Sequence, residues 1–158
     1  MWKGKNVTVF VTGGIAAFKA ATLVRLFVKA GANVEVAMTK SACEFITPLT
    51  FQVLTKNKVH TDTFDEDEAS KVQHIHLADK TDVAVVVPAT ANTIAKMANG
   101  IADNFVTSTL LATTAPIYVA PAMNEHMWEN PATVRNVERL KADGKVIIEP
   151  ATGFLAEG

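Results

Sequence analysis

Cysteine occurs once in the 158 residues, at Cys43. One thiol cannot form an intrachain disulfide, so the chain is not a secreted scaffold held by such bridges. Basic residues are not in excess: 15 Lys and Arg stand against 16 Asp and Glu, a formal charge of −1. Binding to nucleic acid through phosphate neutralisation is correspondingly disfavoured. No apolar run reaches the ~18 residues needed to cross a bilayer. Met1-Trp2-Lys3-Gly4-Lys5-Asn6 leads into a short strand-like run, without the long apolar segment and small-residue cleavage site of a secretory signal. These absences leave a soluble, cytoplasmic protein as the expectation, with no nucleic-acid or membrane partner. The length is that of one domain, expected to span 1–158. What is plentiful is apolar: 49% of residues are hydrophobic, the top of the ordinary range, which favours surface buried between subunits.

Short β-branched runs alternate with helix-length amphipathic stretches. Val7-Thr8-Val9-Phe10-Val11-Thr12 reads as a strand covered on both faces. Gly13-Gly14 ends it. A helix is predicted from Ala16 to Lys29, where Ala17, Ala20, Ala21, Val24, Phe27 and Val28 recur at helical spacing before Gly31. Val34 to Met38 is the second strand. Helices are predicted over Ser41–Phe45 and from Pro48 to about Leu54. The acidic cluster between Asp62 and Ser70 reads as a solvated loop, not a metal cage, because it lacks a glycine turn and converging ligands. Asp82 to Val87 is a buried strand, and a helix follows from Asn92 to Ala98. Asp103 is the predicted cap of a helix through Leu111. Ile117 to Ala120 is a strand, Pro131 opens a helix to Asp143, and Val146 to Ile148 is the last strand. The fold class is α/β, a single-domain flavodoxin/Rossmann-like parallel sheet with helices on both faces.

Ligands of such sheets bind beyond the carboxyl ends of the strands. Four segments fall on that rim: Gly13-Gly14-Ile15-Ala16, Thr39-Lys40-Ser41, Pro88 to Thr93, and Pro121 to Asn124. The dinucleotide fingerprint fails, since Ile15 stands where its second glycine belongs and Met38-Thr39 stand where an acidic residue belongs. The Gly-Lys-Ser/Thr of a P-loop is absent as well. A mononucleotide with one phosphate fits better. Glycine amides before a helix can face an anion, and Thr39, Ser41, Thr90 and Thr93 can donate hydrogen bonds. Any one of these hydroxyls is equally well explained as a helix cap.

His74-Ile75-His76 precedes the central strand. Two residues apart, the rings point to different sides, which excludes joint ligation of a metal. Either imidazole has the right ordinary pKa for a general base, although a surface or structural histidine explains each as well. The Asn124 amide is suited to holding a carboxylate, and a turn asparagine is the plain alternative. Met123, Met127 and Trp128 read equally well as packing residues.

Taken together, these segments resemble the flavin-containing cysteine decarboxylase family, from about Val7 to Gly158. The specific motifs are Pro88-Ala-Thr-Ala-Asn-Thr93, continuing through Asn99-Gly100-Ile101-Ala102-Asp103-Asn104, and Pro121-Ala-Met-Asn-Glu-His-Met-Trp128 with Asn130-Pro131. The resemblance implies FMN bound at a trimer interface, sometimes within a dodecamer of four trimers. It implies that Gly13, Gly14 and Ile15 approach the flavin or its phosphate. Thr39 and Ser41 match the hydroxyl segment after the second strand. Thr90, Ala91, Asn92 and Thr93 match the phosphate and ribityl segment. Ala122 would lie near the flavin, with Asn124 and Met127 at the substrate. His74 matches the family's catalytic histidine; His76 stands at a variable position.

The implied chemistry is oxidative decarboxylation. A cysteine carboxylate cannot simply lose CO2, because the carbanion has nowhere to delocalise. Oxidation of the C–S unit to a thioaldehyde removes that obstacle, and an enethiolate results. The motifs look most like the branch acting on phosphopantothenoylcysteine in coenzyme A biosynthesis, with a phosphopantothenate–cysteine ligase domain or protein as a partner. One departure is Glu157, which stands where that branch carries a cysteine proton donor; a carboxylic acid of raised pKa can also donate. The alternatives are a peptidyl-cysteine decarboxylase of lantibiotic-type maturation and a non-catalytic flavin-binding regulatory subunit. An electron-transfer flavodoxin is disfavoured, for want of a hydroxyl-rich loop after the first strand and with only 7% aromatics.

Overall fold

Residues 1–62 and 68–150 are described in a computed structural model of the chain, the side chains of 68–72 excepted. Strand β1 (Asn6–Val11) lies between β2 (Asn33–Met38) and β4 (Val83–Ala89). With β3 (His60–Thr61), β5 (Ile117–Pro121) and β6 (Val146–Ile147) they form a six-stranded sheet, order β3-β2-β1-β4-β5-β6. Every pairing is parallel, and Val9 sits opposite Val36 on one side and Val85 on the other. The α/β expectation therefore holds, with the doubly wound strand order.

The alternation of side chains along β1 divides two cores. Val7, Val9 and Val11 point to one face, where they pack with Ala17, Ala20 and Val24 and with Phe51. That face is covered by α1 (Phe18–Lys29) and α2 (Pro48–Thr55). Phe10 points the other way, into a cluster with Ala84, Val86, Ile94, Val106, Leu110, Val119, Val137 and Leu140. That face is covered by α4 (Ala91–Asn99), α5 (Phe105–Ala112) and α7 (Pro131–Ala142). Helix α3 (Glu68–Lys80) packs against α5, and the short α6 (Glu125–Glu129) leads into α7.

Several boundaries differ from expectation for identifiable reasons. The first helix begins as a 3-10 turn over Ile15–Ala17 and becomes α-helical only at Phe18. Ser41–Phe45 is likewise a 3-10 turn, over Ala42–Glu44. The run predicted as loop to Ser70 is helical from Glu68, and residues 63–67 lie outside the described residues. Strand β4 continues through Pro88 to Ala89, and its register with β5 shifts between Val86 and Ala89, where proline cannot donate to the ladder. Asn104, not Asp103, caps α5. Its Oδ1 accepts from the Thr107 amide at 2.7 Å, while its own amide donates to Thr107 Oγ1 at 3.2 Å. That reciprocal box satisfies two otherwise orphaned donors. Asp103 instead pairs with Lys96 at 3.0 Å.

The sheet order reverses between β1 and β4, so the segments following these strands separate to opposite faces and leave a crevice at the rim. The turns after β1, β2, β4 and β5 all open there.

Candidate functional site

The turns at the crevice are locked by their own polar groups. Thr12, 1% exposed, donates from Oγ1 to the Pro88 carbonyl at 2.5 Å and accepts from the Thr90 amide at 3.0 Å. This clamp joins the turn after β1 to the turn after β4. Thr90 caps α4, accepting from the Thr93 amide at 3.2 Å, and donates to Thr93 Oγ1 at 3.2 Å. The hydroxyl proton of Thr93 is thereby left for another acceptor. Thr39 Oγ1 accepts from the Ala42 amide at 3.1 Å, so it too keeps its proton for a ligand. The backbone at Gly14 has φ +116°, a region that side-chain-bearing residues rarely enter. At Gly13 a Cβ would stand 2.9 Å from Ser41 Cβ, so the turns after β1 and β2 touch only because Gly13 has none.

Two adjoining cavities occupy the crevice. The first, about 480 Å³, is largely apolar: Ile15, Phe18, Phe45, Ala91, Ala122, Met123 and Met127 line it, with Gly13, Gly14, Ala16, Lys19, Thr90 and Asn124. The second, about 440 Å³, is polar, lined by Thr39, Lys40, Ser41, Asp62, Asn92, Thr93, Lys96 and Asn104. Gly13, Gly14, Phe45 and Thr90 belong to both. The polar cavity lies at the N-terminus of α4, where unpaired amides and the helix dipole favour an anion. The arrangement suits a ligand with a flat apolar part and a phosphate.

The crevice gathers Gly13, Gly14, Ile15, Thr39, Ser41, Thr90, Ala91, Asn92, Thr93, Ala122, Asn124 and Met127 into these two walls. Asn124 caps α6: its Oδ1 accepts from the Met127 amide at 2.9 Å. With the oxygen held, Nδ2 is the donor that Asn124 brings to the cavity wall. The plain alternatives at Thr39, Thr90 and Asn124 are thus also true, since each hydroxyl or amide caps a turn while lining a cavity. Glu157 lies outside the described residues. Among the described residues no group of three or more His, Cys, Asp or Glu could hold a metal.

His74 lines neither cavity. It sits half-buried on α3 with its ring perpendicular to that of Phe105, at 6.4 Å between centroids. His76, two residues on, is exposed. Beneath Phe105 is a cluster that sequence reasoning did not find. His60 stacks on Phe105 at 5.1 Å, and its Nε2 lies 2.9 Å from Glu35 Oε1. Lys80 pairs with the other Glu35 oxygen. The His60 hydrogen bond, aided by Lys80, outweighs desolvation and holds the Glu35 carboxyl at about 2. Asp62 accepts from the Phe105 amide at 2.7 Å, at the N-terminus of α5. Phe18, Lys19, Phe45, Asp62, Lys96 and Asn104 also went unpredicted as lining residues. Lys40 lay in a segment already expected on the rim, and Asn104 in one of the specific motifs.

A family model described as Flavoprotein matches residues 1–157. The chain is 54% identical over 158 residues to the coenzyme A biosynthesis bifunctional protein CoaBC of Bacillus subtilis, covering all of this chain and 39% of that protein. It is 46% identical over 156 residues to the probable phosphopantothenoylcysteine decarboxylase of Streptococcus mutans, covering 98% of this chain and 87% of that one. The chain thus spans about two-fifths of the CoaBC relatives, but most of the shorter protein. Among solved structures, the PPC decarboxylase mutant C175S complexed with pantothenoylaminoethenethiol superposes with a TM-score of 0.84 at 36% identity, over 99% of this chain and 87% of that one. The FMN-dependent cysteine decarboxylase SpaF superposes with a TM-score of 0.88 at 32% identity, over 97% and 88%.

Proposed function

We propose that this chain, which belongs to the flavoprotein family, binds FMN along the crevice and decarboxylates the cysteine moiety of phosphopantothenoylcysteine, giving phosphopantetheine for coenzyme A biosynthesis. The observation carrying this reading is the pairing of an apolar cavity, with Asn124 in its wall, and a polar cavity at a helix N-terminus. The donor set fits the cofactor. Gly14, Ala91, Ala122 and Met123 offer small or flat surface to an aromatic ring system, and the α4 amides with Thr39, Ser41 and Thr93 offer donors to a phosphate. The relatives named phosphopantothenoylcysteine decarboxylase support the substrate.

Bound FMN would supply the two-electron oxidation of the cysteine C–S unit, after which loss of CO2 leaves a stabilised enethiolate. The protein's own residues supply position and proton transfer. Asn124 Nδ2 donates to the departing carboxylate. A neutral donor suits this task, because a bidentate arginine would hold the ground-state carboxylate more strongly than the charge-dispersed transition state. His74 acts as the base. Because it lines neither cavity of its own chain, it works in this reading at the cavity of a neighbouring copy, within a homotrimer or a dodecamer of trimers. Ile15, Phe18 and Phe45, each more than half exposed beside the crevice, give such an assembly apolar surface to cover. Glu157 returns a proton when the product is reduced. A phosphopantothenate–cysteine ligase is the proposed upstream partner, and the cytoplasm is the proposed location.

The test is incubation of FMN-loaded protein with phosphopantothenoylcysteine, followed by mass spectrometry. Loss of one CO2 is expected, without net loss of two hydrogens. A peptide with a C-terminal cysteine forms the second arm, the substrate of the lantibiotic-type alternative. Turnover of the peptide alone overturns the substrate assignment. Inertness toward both, with flavin retained, favours a regulatory flavin-binding subunit.

A further inference from the structure

Among the described residues, Phe105 is the one aromatic ring that meets two histidines. One is His74, perpendicular at 6.4 Å; the other is His60, stacked at 5.1 Å with planes 6° apart. Both separations lie within the range where aromatic rings attract. Phe105 has little freedom of its own. Its backbone opens α5, and its amide is held by Asp62 Oδ1 at 2.7 Å. Its ring rests on His60, whose Nε2 is fixed 2.9 Å from a Glu35 carboxylate that is 12% exposed. Lys80, on the same helix as His74, pairs with that carboxylate. Helix α3 is therefore tied to β2 through Lys80, and the His74 ring is set against a surface tied to β2 through His60.

We propose that Phe105, backed by His60 and Glu35, is the positioning residue for His74. It holds the imidazole in the orientation in which it takes its proton, and it touches neither substrate nor cofactor. The proposal rests on the assignment of His74 as the base. A base carried on a helix needs a defined ring angle as well as a defined helix position. The Lys80–Glu35 pair sets the position, and Phe105 sets the angle. An aliphatic residue at 105 would fill volume without offering a flat wall, whereas tyrosine would keep the wall.

The experiment uses the FMN-loaded full chain with Phe105→Leu, His60→Ala and Phe105→Tyr, assayed on phosphopantothenoylcysteine. Small misplacements of catalytic groups cost up to about a hundredfold. We expect kcat to fall about tenfold or more in Phe105→Leu and His60→Ala, on the same scale of misplacement costs. KM and bound FMN should be nearly unchanged, and Phe105→Tyr should restore kcat. The loss of kcat should exceed what any fall in thermal midpoint explains, the larger fall being in His60→Ala, which strips Glu35 of a partner. The ring-proton resonances of His74 should move in Phe105→Leu and return in Phe105→Tyr. Unaltered kcat in Phe105→Leu, unmoved His74 resonances, or a loss of kcat that only tracks loss of fold or flavin each overturn the proposal. His74→Asn separates the levels. If it is inert while Phe105→Leu keeps full kcat, the positioning role alone fails. If His74→Asn turns over normally, the assignment of the base fails and takes this proposal with it.

Discussion

Asn124→Asp separates the observed cap of α6 from the role proposed for the same side chain at the substrate. The Oδ1 of Asn124 caps α6 by accepting from the Met127 amide at 2.9 Å. Aspartate accepts equally well at that position, and its charge is favourable at a helix N-terminus. Stability should therefore change by no more than about 0.5 kcal/mol, the scale of an ordinary surface change. Nδ2 is the donor assigned to the substrate carboxylate, and aspartate replaces it with an anion. Loss of a hydrogen bond to a charged partner costs about 1.5–3 kcal/mol, or about ten- to a hundredfold in kcat/KM. Repulsion between two carboxylates adds to this; at an effective dielectric constant of ~20 a separation of ~4 Å corresponds to about 4 kcal/mol. The combined loss should exceed about a thousandfold, taking 1.4 kcal/mol per decade. Asn124→Ala is the control. It loses the donor without adding charge and loses the cap as well, at about 1 kcal/mol. Steady-state kinetics and thermal melts should rank the variants oppositely: aspartate worse in catalysis, alanine worse in stability. A stable Asn124→Asp protein with wild-type kcat/KM would refute the assigned role.

Three further outcomes are expected. Gly13→Ala places a methyl group 2.9 Å from Ser41 Cβ. Pushing the turns after β1 and β2 apart should cost about 1–3 kcal/mol in denaturant unfolding and weaken FMN binding in a fluorescence titration. Glu35→Gln should narrow the pH dependence of stability. The Glu35 carboxyl lies near 2 against an ordinary 4.5. Its contribution is thus fully present above pH 4.5 and is lost as pH falls toward 2, with a ceiling of about 3 kcal/mol. Denaturant unfolding at pH 7 and near pH 3 should show the gap between wild type and variant shrinking on acidification. Glu157→Gln should shift the product toward the oxidised enethiol, read by mass as the loss of two additional hydrogens.

What could be read directly from the sequence follows from what each element buries. The central strands β1 and β4 have apolar runs because both their faces are covered, β5 buries Ile117 and Val119 on one face, and α1 and α7 show apolar residues at helical spacing over one core face. Helix α3 left no such trace. Of its described residues Leu77 and Ala78 are buried, while Ile75 is half exposed, so no stripe marks it. Strand β3 is only two residues long, and α6 only five, so neither has room for a pattern. The plain alternative for Asn124 was therefore a turn residue, whereas it is a helix cap. At the site, the polar walls could be anticipated because strand ends in a parallel sheet share one rim. Phe18 and Phe45 could not, since each lies on or beside a helical turn and its presence in the crevice depends on how that turn is tilted. The Glu35–His60–Phe105 cluster joins β2, β3 and α5, a proximity created by strand order alone.

The central claim is that the crevice between the turns after β1 and β4 is a flavin site. Crystals of the protein grown with FMN test it most directly. The isoalloxazine should lie against Gly14, Ala91, Ala122 and Met123, with the phosphate at the α4 amides beside Thr93. Density for the cofactor elsewhere, with Ile15, Phe18 and Phe45 collapsed into the cavity, would contradict the account.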